Sequence, residues 1–478
     1  MDGLTGKRVT VMGLGSRGGG LGVARWLVAE GAVVTVTDAK PAAALAEPLA
    51  GLAGLPIRFV LGGHDERDFT PAGADLVVRN PAVRRDAPLL RLARQTGVPV
   101  EMEIGLFLAA CPAPVVGVTG TKGKTTVSTL CAEMLHRWRP ETVLAGNMGV
   151  SALAALAAIG LETPVVLEIS SWQLEATIEH GRAPHIAVLT NIAEDHLNTY
   201  RDFAEYAETK RGITAGQRPA DWLVVNRDDP ECWRAATTTP ARVIPFGLDD
   251  RGGDGAWLAG DHMVWRLCGE SWSLPHPANP ALRGDHGAAN ALAALAAARL
   301  RGALPEAIAA ALDGFAGVKD RMEPVAVVAG VAYVNDTTAT APVAAAAALA
   351  ALAGTAVRLL AGGADKGLDP APLVAAAAAH HPVPTVYLFD GSATPRLAAA
   401  LLAAGIEPRG PFASMTAAVE AARADAAPGE TVLLSPGCAS FGLFADEFDR
   451  GEQFRRHVLG LAARSGAPAA TVRIEMPI

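Results

Sequence analysis

The chain lacks the features that mark secreted, membrane-spanning or nucleic-acid-binding proteins. Among its 478 residues there are only five cysteines, Cys111, Cys131, Cys232, Cys268 and Cys438. They are odd in number and widely spaced, which suggests neither a disulfide framework nor a C-x-x-C metal site, and reduced, mostly buried thiols are expected. The net charge is −8 and no long run of lysine or arginine occurs. Sequence-independent nucleic-acid binding needs clustered positive charge to displace counterions, so the pattern argues against it; basic residues that matter should act singly, in a site. The longest apolar run, around APVAAAAALAALAG, is mostly alanine and is broken by Pro342 and Gly354, too weak a pattern for a membrane span. The opening MDGLTGKRVT carries no apolar signal core, and the expectation is a soluble, cytoplasmic protein without membrane insertion.

What is present is a 50% hydrophobic chain long enough for two to four domains. Three segments separate by pattern. Residues 1–102 alternate short Val-rich strands (RVTVMG, VVTVTD, DLVVRN) with amphipathic helices. Residues 103–317 begin at the buried strand PVVGVTG and continue through PVVLEIS, IAVLTNI and DWLVVN to the helical HGAANALAALAAARL. Residues 318–478 place VAYVND, VRLLAGG, TVYLFD and TVLLSPG between Ala-rich helices. Each reads as an α/β unit with Pro and Gly near the junctions.

Two glycine loops carry the chemistry. In VTVMGLGSRGGGLG, Gly13, Gly15 and Gly18 fit G-x-G-x-x-G after the strand 8–12, and the next strand ends on Asp38. That is the pattern of a dinucleotide-binding turn, and an NAD-dependent dehydrogenase is one reading of it. The second loop, GVTGTKGKTT (117–126), also joins a strand to a helix. It departs from G-x-x-x-x-G-K-[ST] by having Val118 at the first glycine, yet backbone N–H groups, Lys124 and the Thr125 hydroxyl would still converge on nucleotide phosphates and Mg²⁺. Downstream, Glu168 ends one apolar strand and His196 follows another. At strand C-termini such groups can join a phosphate-bound metal or be satisfied structural side chains. Lys210 falls on an expected helix, where a lysine is ordinarily a solvated surface charge.

Eight motifs in order, GVTGTKGKTT, AGNMG, LEISSWQLE, TNIAEDHLNTY, DRME, VNDTTAT, GGADKG and LLSPGCASFGLFADEFDRG, resemble the Mur ligases of peptidoglycan synthesis. The likeness spans essentially the whole chain and is strongest to the type that joins D-glutamate to UDP-N-acetylmuramoyl-L-alanine. It implies three domains: an N-terminal Rossmann-like domain for the UDP-sugar, a central P-loop ATPase-like α/β domain, and a C-terminal Rossmann-like α/β domain for the amino acid. It also implies ATP and Mg²⁺ as cofactors, an acyl-phosphate intermediate, and a monomer. By the resemblance, Lys124, His196 and Lys210 are catalytic. Metal ligands are Thr125, Glu168, His196 and Lys210, the last as a carbamate. Nucleotide contacts are Gly120, Thr121, Lys122, Gly123, Lys124, Thr125 and Thr126, with Asn290, Arg321 and Asp336. Substrate contacts are Gly15, Ser16, Asp38, Asn147, Ser171 and Gln173, and the amino-acid side uses Thr340, Lys366 and Ser440. The chain departs from the family pattern at Gly287, Asp320, Thr338 and Glu447. Rival readings are a ligase for L-glutamate or another amino acid, a folylpolyglutamate synthetase-like protein, the dehydrogenase with a regulatory ATP loop, and a non-enzymatic nucleotide switch.

Overall fold

The computed structural model describes residues 3–15, 19–147, 151–195, 199–277, 279–282 and 284–465. It divides into two compact units, Met1–Phe315 and Ala316–Ile478.

The first unit contains two sheets. In one, the strands β1 (Arg8–Met12), β2 (Val33–Asp38), β3 (Ile57–Leu61), β4 (Leu76–Arg79) and β5 (Val100–Glu101) run parallel in the order β3-β2-β1-β4-β5. Strand order reverses at β1, so a crevice opens beyond the carboxyl ends of β1 and β4, the usual ligand position in such sheets. The glycine loop lies there: Gly13 and Gly15 take φ of 90° and 66°, and a Cβ on Gly20 would run into the Leu14 carbonyl. These requirements select glycine.

The second sheet follows the order β14-β13-β12-β11-β10-β9-β6-β8-β7. Its parallel part comprises β6 (Val115–Thr119), β7 (Val143–Gly146), β8 (Val165–Glu168), β9 (Ile186–Leu189), β10 (Trp222–Asn226), β11 (Arg242–Gly247) and β12 (Gly255–Ala259). β13 (His262–Leu267) and β14 (Glu270–Pro275) then add as an antiparallel meander. The sequence reading gave no sign of this meander. Its signals are short runs around Trp257, Trp265 and Trp272, separated by turns at Gly260 and Gly269 with φ of 62° and 88°. One buried apolar cluster runs through both sheets, from Val9, Val11 and Val36 to Leu167, Leu189 and Val225. A buried ion pair, Arg79 Nη2 to Glu175 Oε2 at 2.6 Å, ties the end of β4 to the helix Ser171–Glu179.

The second unit holds β15 (Glu323–Val328), β16 (Val331–Asn335), β17 (Val357–Ala361), β18 (Thr385–Phe389), β19 (Arg409–Phe412) and β20 (Thr431–Leu434), in the order β15-β16-β20-β17-β18-β19. All pairs are parallel except β15 with β16. Alternate residues feed cores on opposite faces: Tyr387 and Phe389 pack with Phe454 and Val458 of the helix Glu447–Ser465, whereas Val386 and Leu388 pack with Leu349 and Leu397. Among the described residues no helix is long and apolar enough to cross a membrane. Cys131 and Cys232 are buried free thiols, and Cys268 is exposed, so the thiols are less uniformly buried than expected.

Candidate active site at the phosphate loop

The chemistry gathers where β6 ends. The strand is buried throughout, and the chain leaves it through Gly120 (φ 150°) and Gly123 (φ 81°). A Cβ on Gly120 would run into the Thr190 hydroxyl, and one on Gly123 into the side-chain oxygen of Asn290. The helix Lys124–Trp138 starts immediately after, with Thr125 and Thr126 half-buried in its first turn. The N–H groups of that turn have no intrahelical acceptor and favour an anion. Lys124 folds back over the loop, its Nζ donating to the carbonyls of Gly120 and Thr121 at 3.0 Å each.

The segment leaving β9 braces this loop from the side. Thr190 Oγ1 donates to the Lys122 carbonyl at 2.7 Å, and Asn191 holds Lys122 twice, accepting its N–H (2.8 Å) and donating to its carbonyl (2.9 Å). Thr121 N–H donates to the Asn191 carbonyl at 2.8 Å. Neither Thr190 nor Asn191 was singled out in the sequence. Their signal was position, a polar pair directly after an apolar strand beside β6.

Lys210 lies beneath the same loop and is 2% exposed, which overturns the solvated-surface reading. Its Nζ donates to the Gly120 carbonyl at 2.7 Å and to Thr119 Oγ1 at 3.4 Å. Burial, reinforced by Lys124, holds its pKa well below the ordinary lysine value, against the opposing pull of Asp195 and Glu168. Tyr206, one helical turn earlier, places its ring 5.5 Å from Nζ and its hydroxyl 3.2 Å from Thr121 Oγ1. Spacing of four on the helix Phe203–Arg211 puts both side chains on one face.

Glu168 ends β8 beside Val118 of β6 and is 2% exposed. Asn147 Nδ2 donates to its Oε1 at 2.9 Å, while Oε2 is buried with no hydrogen-bond partner among the described residues. A buried carboxylate oxygen without a donor is costly and calls for a cation. His196, expected in the same cluster, lies outside the described residues, as does Ser16.

At the first glycine loop, Asp38 is 8% exposed and turns its carboxylate onto the backbone: Oδ2 accepts from Leu14 (2.9 Å) and Gly15 (3.5 Å), Oδ1 from Lys40 (2.9 Å). It therefore shapes the loop, and any base contact is additional. Asn80, which the sequence reading passed over, lies against Gly13 and Gly15. Gln173 closes a capping box with Ser170, and Ser171 is buried in the same first turn. Next to them, a cavity of about 630 Å³ lies between the end of β4 and this helix, with Arg79, Arg85, Trp172 and Tyr200 in its wall.

In the second unit, Asp336 is buried, accepting from Ser435 Oγ at 2.7 Å and from Met322 N–H at 3.2 Å. Burial pushes its carboxyl up to about 6. Arg321, adjacent to Met322 in sequence, is exposed. Lys366 Nζ donates to Thr340 Oγ1 at 2.9 Å, and both line a small cavity with Arg396 and Cys438. Ser440 Oγ is buried without a partner among the described residues. The departures from the family pattern have local causes: a Cβ at Gly287 would run into the Leu282 carbonyl, and Thr338 Oγ1 donates to the Asp320 carbonyl at 2.9 Å. Glu447 begins the last helix, its carbonyl accepting from Thr337 Oγ1 at 2.7 Å.

Comparison with known proteins matches three stretches to family models: the Mur ligase MurD-like N-terminal domain over residues 7–102, the Mur ligase middle domain over 118–298, and the Mur ligase glutamate ligase domain over 320–438. The chain is 46% identical to the UDP-N-acetylmuramoylalanine–D-glutamate ligase of Roseiflexus sp. (strain RS-1), covering 95% of this chain and 99% of that protein. It is 41% identical to the ligase of the same name from Symbiobacterium thermophilum, covering 95% and 98%. Among solved structures, UDP-N-acetylmuramate-alanine ligase MurC of Thermotoga maritima shares the fold with a TM-score of 0.59 at 20% identity, covering 95% of this chain and 99% of that one. With matches along nearly its full length, the chain belongs to the Mur ligase family.

Proposed function

We propose that this protein is the ligase that joins D-glutamate to UDP-N-acetylmuramoyl-L-alanine at the expense of ATP, in the cytoplasmic synthesis of peptidoglycan precursors, and that it acts as a monomer. The observation that carries this reading is the buried Lys210 amine under the phosphate loop, within the electrostatic reach of Glu168, whose Oε2 has no donor among the described residues. A nucleotide switch or a dehydrogenase has no use for that pair.

The reaction moves the γ-phosphoryl group of ATP to the substrate carboxylate, and the glutamate amine then displaces phosphate from the acyl phosphate to leave an amide. Each step brings anions together, so charge control dominates. The helix N-terminus at Lys124–Thr126 and the Lys124 ammonium would hold and neutralise the β- and γ-phosphates. Among the described residues no group of three His, Cys, Asp or Glu could hold a metal ion. Donors of other kinds fit: the free oxygen of Glu168, the Thr125 hydroxyl and a carbamylated Lys210, an oxygen set suited to Mg²⁺, with His196 as a further ligand. Bound there, Mg²⁺ would screen the repulsion between triphosphate and carboxylate. Carbamylation adds CO₂ to a neutral amine with release of a proton, so it needs the uncharged Nζ that the burial of Lys210 favours, and it leaves an anion there.

The β1–β4 crevice, with Gly15, Ser16 and Asp38, would take the UDP portion, and the muramoyl part would extend toward Asn147, Ser171 and Gln173. Asn290 would contact the nucleotide from the first unit; in the second unit Arg321 and Asp336 are read as nucleotide contacts, and Thr340, Lys366 and Ser440 would receive the amino acid. The three segments 1–102, 103–317 and 318–478 are then the UDP-sugar, ATP and amino-acid domains. The test is phosphate release from ATP, expected when UDP-N-acetylmuramoyl-L-alanine and D-glutamate are both supplied and absent when either is withheld. Release with NAD⁺ reduction in place of ligation would overturn the reading.

A further inference from the structure

We propose that Arg455 is a positioning residue for nucleotide binding: paired with Asp320, it braces a strained turn that presents the Arg321 guanidinium. The proposal rests on the reading of Arg321 as a nucleotide contact.

Two of the four non-glycine residues with positive φ among the described residues flank Arg321: Asp320 at 66° and Met322 at 42°. Side chains disfavour this region, and such conformations persist only where their surroundings over-determine them. Here most polar groups of the turn are held. Asp320 Oδ1 accepts from Asn335 Nδ2 and from Arg455 Nη2, both at 2.8 Å. Its N–H donates to Glu323 Oε2 at 2.8 Å, and its carbonyl accepts from Thr338 Oγ1 at 2.9 Å. Arg321 N–H donates to the Val318 carbonyl at 3.1 Å. Met322 N–H donates to Asp336 Oδ1 at 3.2 Å, which links the turn to a second residue read as a nucleotide contact. Asp320 is buried in this turn while Arg321 is exposed, as is Lys319 beside it.

Arg455 supplies the charge that makes this arrangement tenable. Asp320 is 4% exposed, and Glu323 lies against the same guanidinium, which contacts Glu323 Oε1 at 3.0 Å and Oε2 at 2.8 Å. Without the guanidinium, two inward-facing carboxylates would meet with no counter-charge between them, held only by neutral donors: Asn335 Nδ2, which also donates to Glu323 Oε2 at 3.0 Å, and the Asp320 N–H. Gly451, one turn before Arg455, lets the helix approach, because a Cβ there would run into the Asp320 carboxylate. Burial raises the Asp320 pKa in spite of Arg455, as expected where the counter-charge is essential. A buried carboxylate that loses its partner relaxes by moving or by taking a proton, and either would shift the turn that carries Arg321.

The test compares KM for ATP, KM for the UDP-substrate and kcat in the full-length protein. Arg321→Ala is expected to raise KM for ATP by tenfold or more. Arg455→Lys keeps the charge, and hence the fold, but loses the forked geometry; a several-fold rise in KM for ATP is expected, with KM for the UDP-substrate unchanged. Arg455→Met should approach the Arg321→Ala value. Asn tolerates the left-handed region and carries no charge, so adding Asp320→Asn to Arg455→Met should recover part of the ATP affinity. A scaffold role alone would lower thermal stability and kcat without a selective change in KM for ATP. An unchanged KM for ATP in Arg455→Lys, with the Arg321→Ala effect present, overturns the proposal. An unchanged value in Arg321→Ala overturns the reading on which it rests.

Discussion

Lys210 shows how much one side chain gains meaning from its surroundings. In sequence it is a lysine on a helix; in the structure its amine is sealed under Gly120 with its pKa held down by burial and by Lys124. Lys210→Ala is expected to abolish ligation, and short carboxylic acids such as acetate should partly restore it by standing in for the missing carbamate. Turnover equal to the parent protein would remove the lysine from the mechanism. Asp336 makes a different prediction. Its carboxyl is raised from 3.8 to about 6 by burial, so its contribution to stability is fully present below the unfolded value and is lost as pH rises through about 6. At pH 8 the buried charge therefore costs about 3 kcal/mol at most, from two pKa units. Asp336→Asn should raise the melting temperature at pH 8 and leave it nearly unchanged at pH 3.5, while weakening ATP binding. Equal shifts at both pH values would show that the charge is not what destabilises the folded state.

At the scale of elements, the phosphate loop depends on glycine where strand turns into helix. Gly123→Ala would place a methyl group against Asn290 at a φ of 81°, and loss of nucleotide binding with about 1–3 kcal/mol of destabilisation is expected. Normal ATP affinity in that variant would contradict the close approach. The buried Arg79–Glu175 pair joins the first sheet to the helix Ser171–Glu179. Removing one partner strands the other, so Glu175→Gln should lower stability by about 3–5 kcal/mol in chemical denaturation. Much of this was legible in the sequence, since apolar runs ending in GVTG, LEIS and LTNI located β6, β8 and β9 and so the residues at their carboxyl ends. The braces were not. Thr190, Asn191 and Asn80 reach the loops from the ends of neighbouring strands and Arg455 from a distant helix, and no spacing along the chain says which strands are neighbours. The function of Asp38 was half legible: the acid at the end of β2 marks the crevice, but its bonds to Leu14 and Gly15 follow from tertiary geometry.

At the scale of the whole molecule, three sheets in two compact units carry three kinds of site: a glycine-loop crevice, a phosphate loop with its buried lysine, and a cation-and-hydroxyl cavity around Lys366 and Thr340. The α/β pattern made the segments visible from sequence, whereas the antiparallel meander of β12–β14 escaped because its strands are short and polar residues interrupt the apolar runs of β13 and β14. The proposed ligation draws on all three. The most direct measurement is therefore phosphate release from ATP in the presence of UDP-N-acetylmuramoyl-L-alanine, with D-glutamate, L-glutamate or no amino acid added. Release coupled to formation of the amide product with D-glutamate alone is the predicted result. Release that is indifferent to the amino acid, or that proceeds without the UDP-substrate, would contradict it.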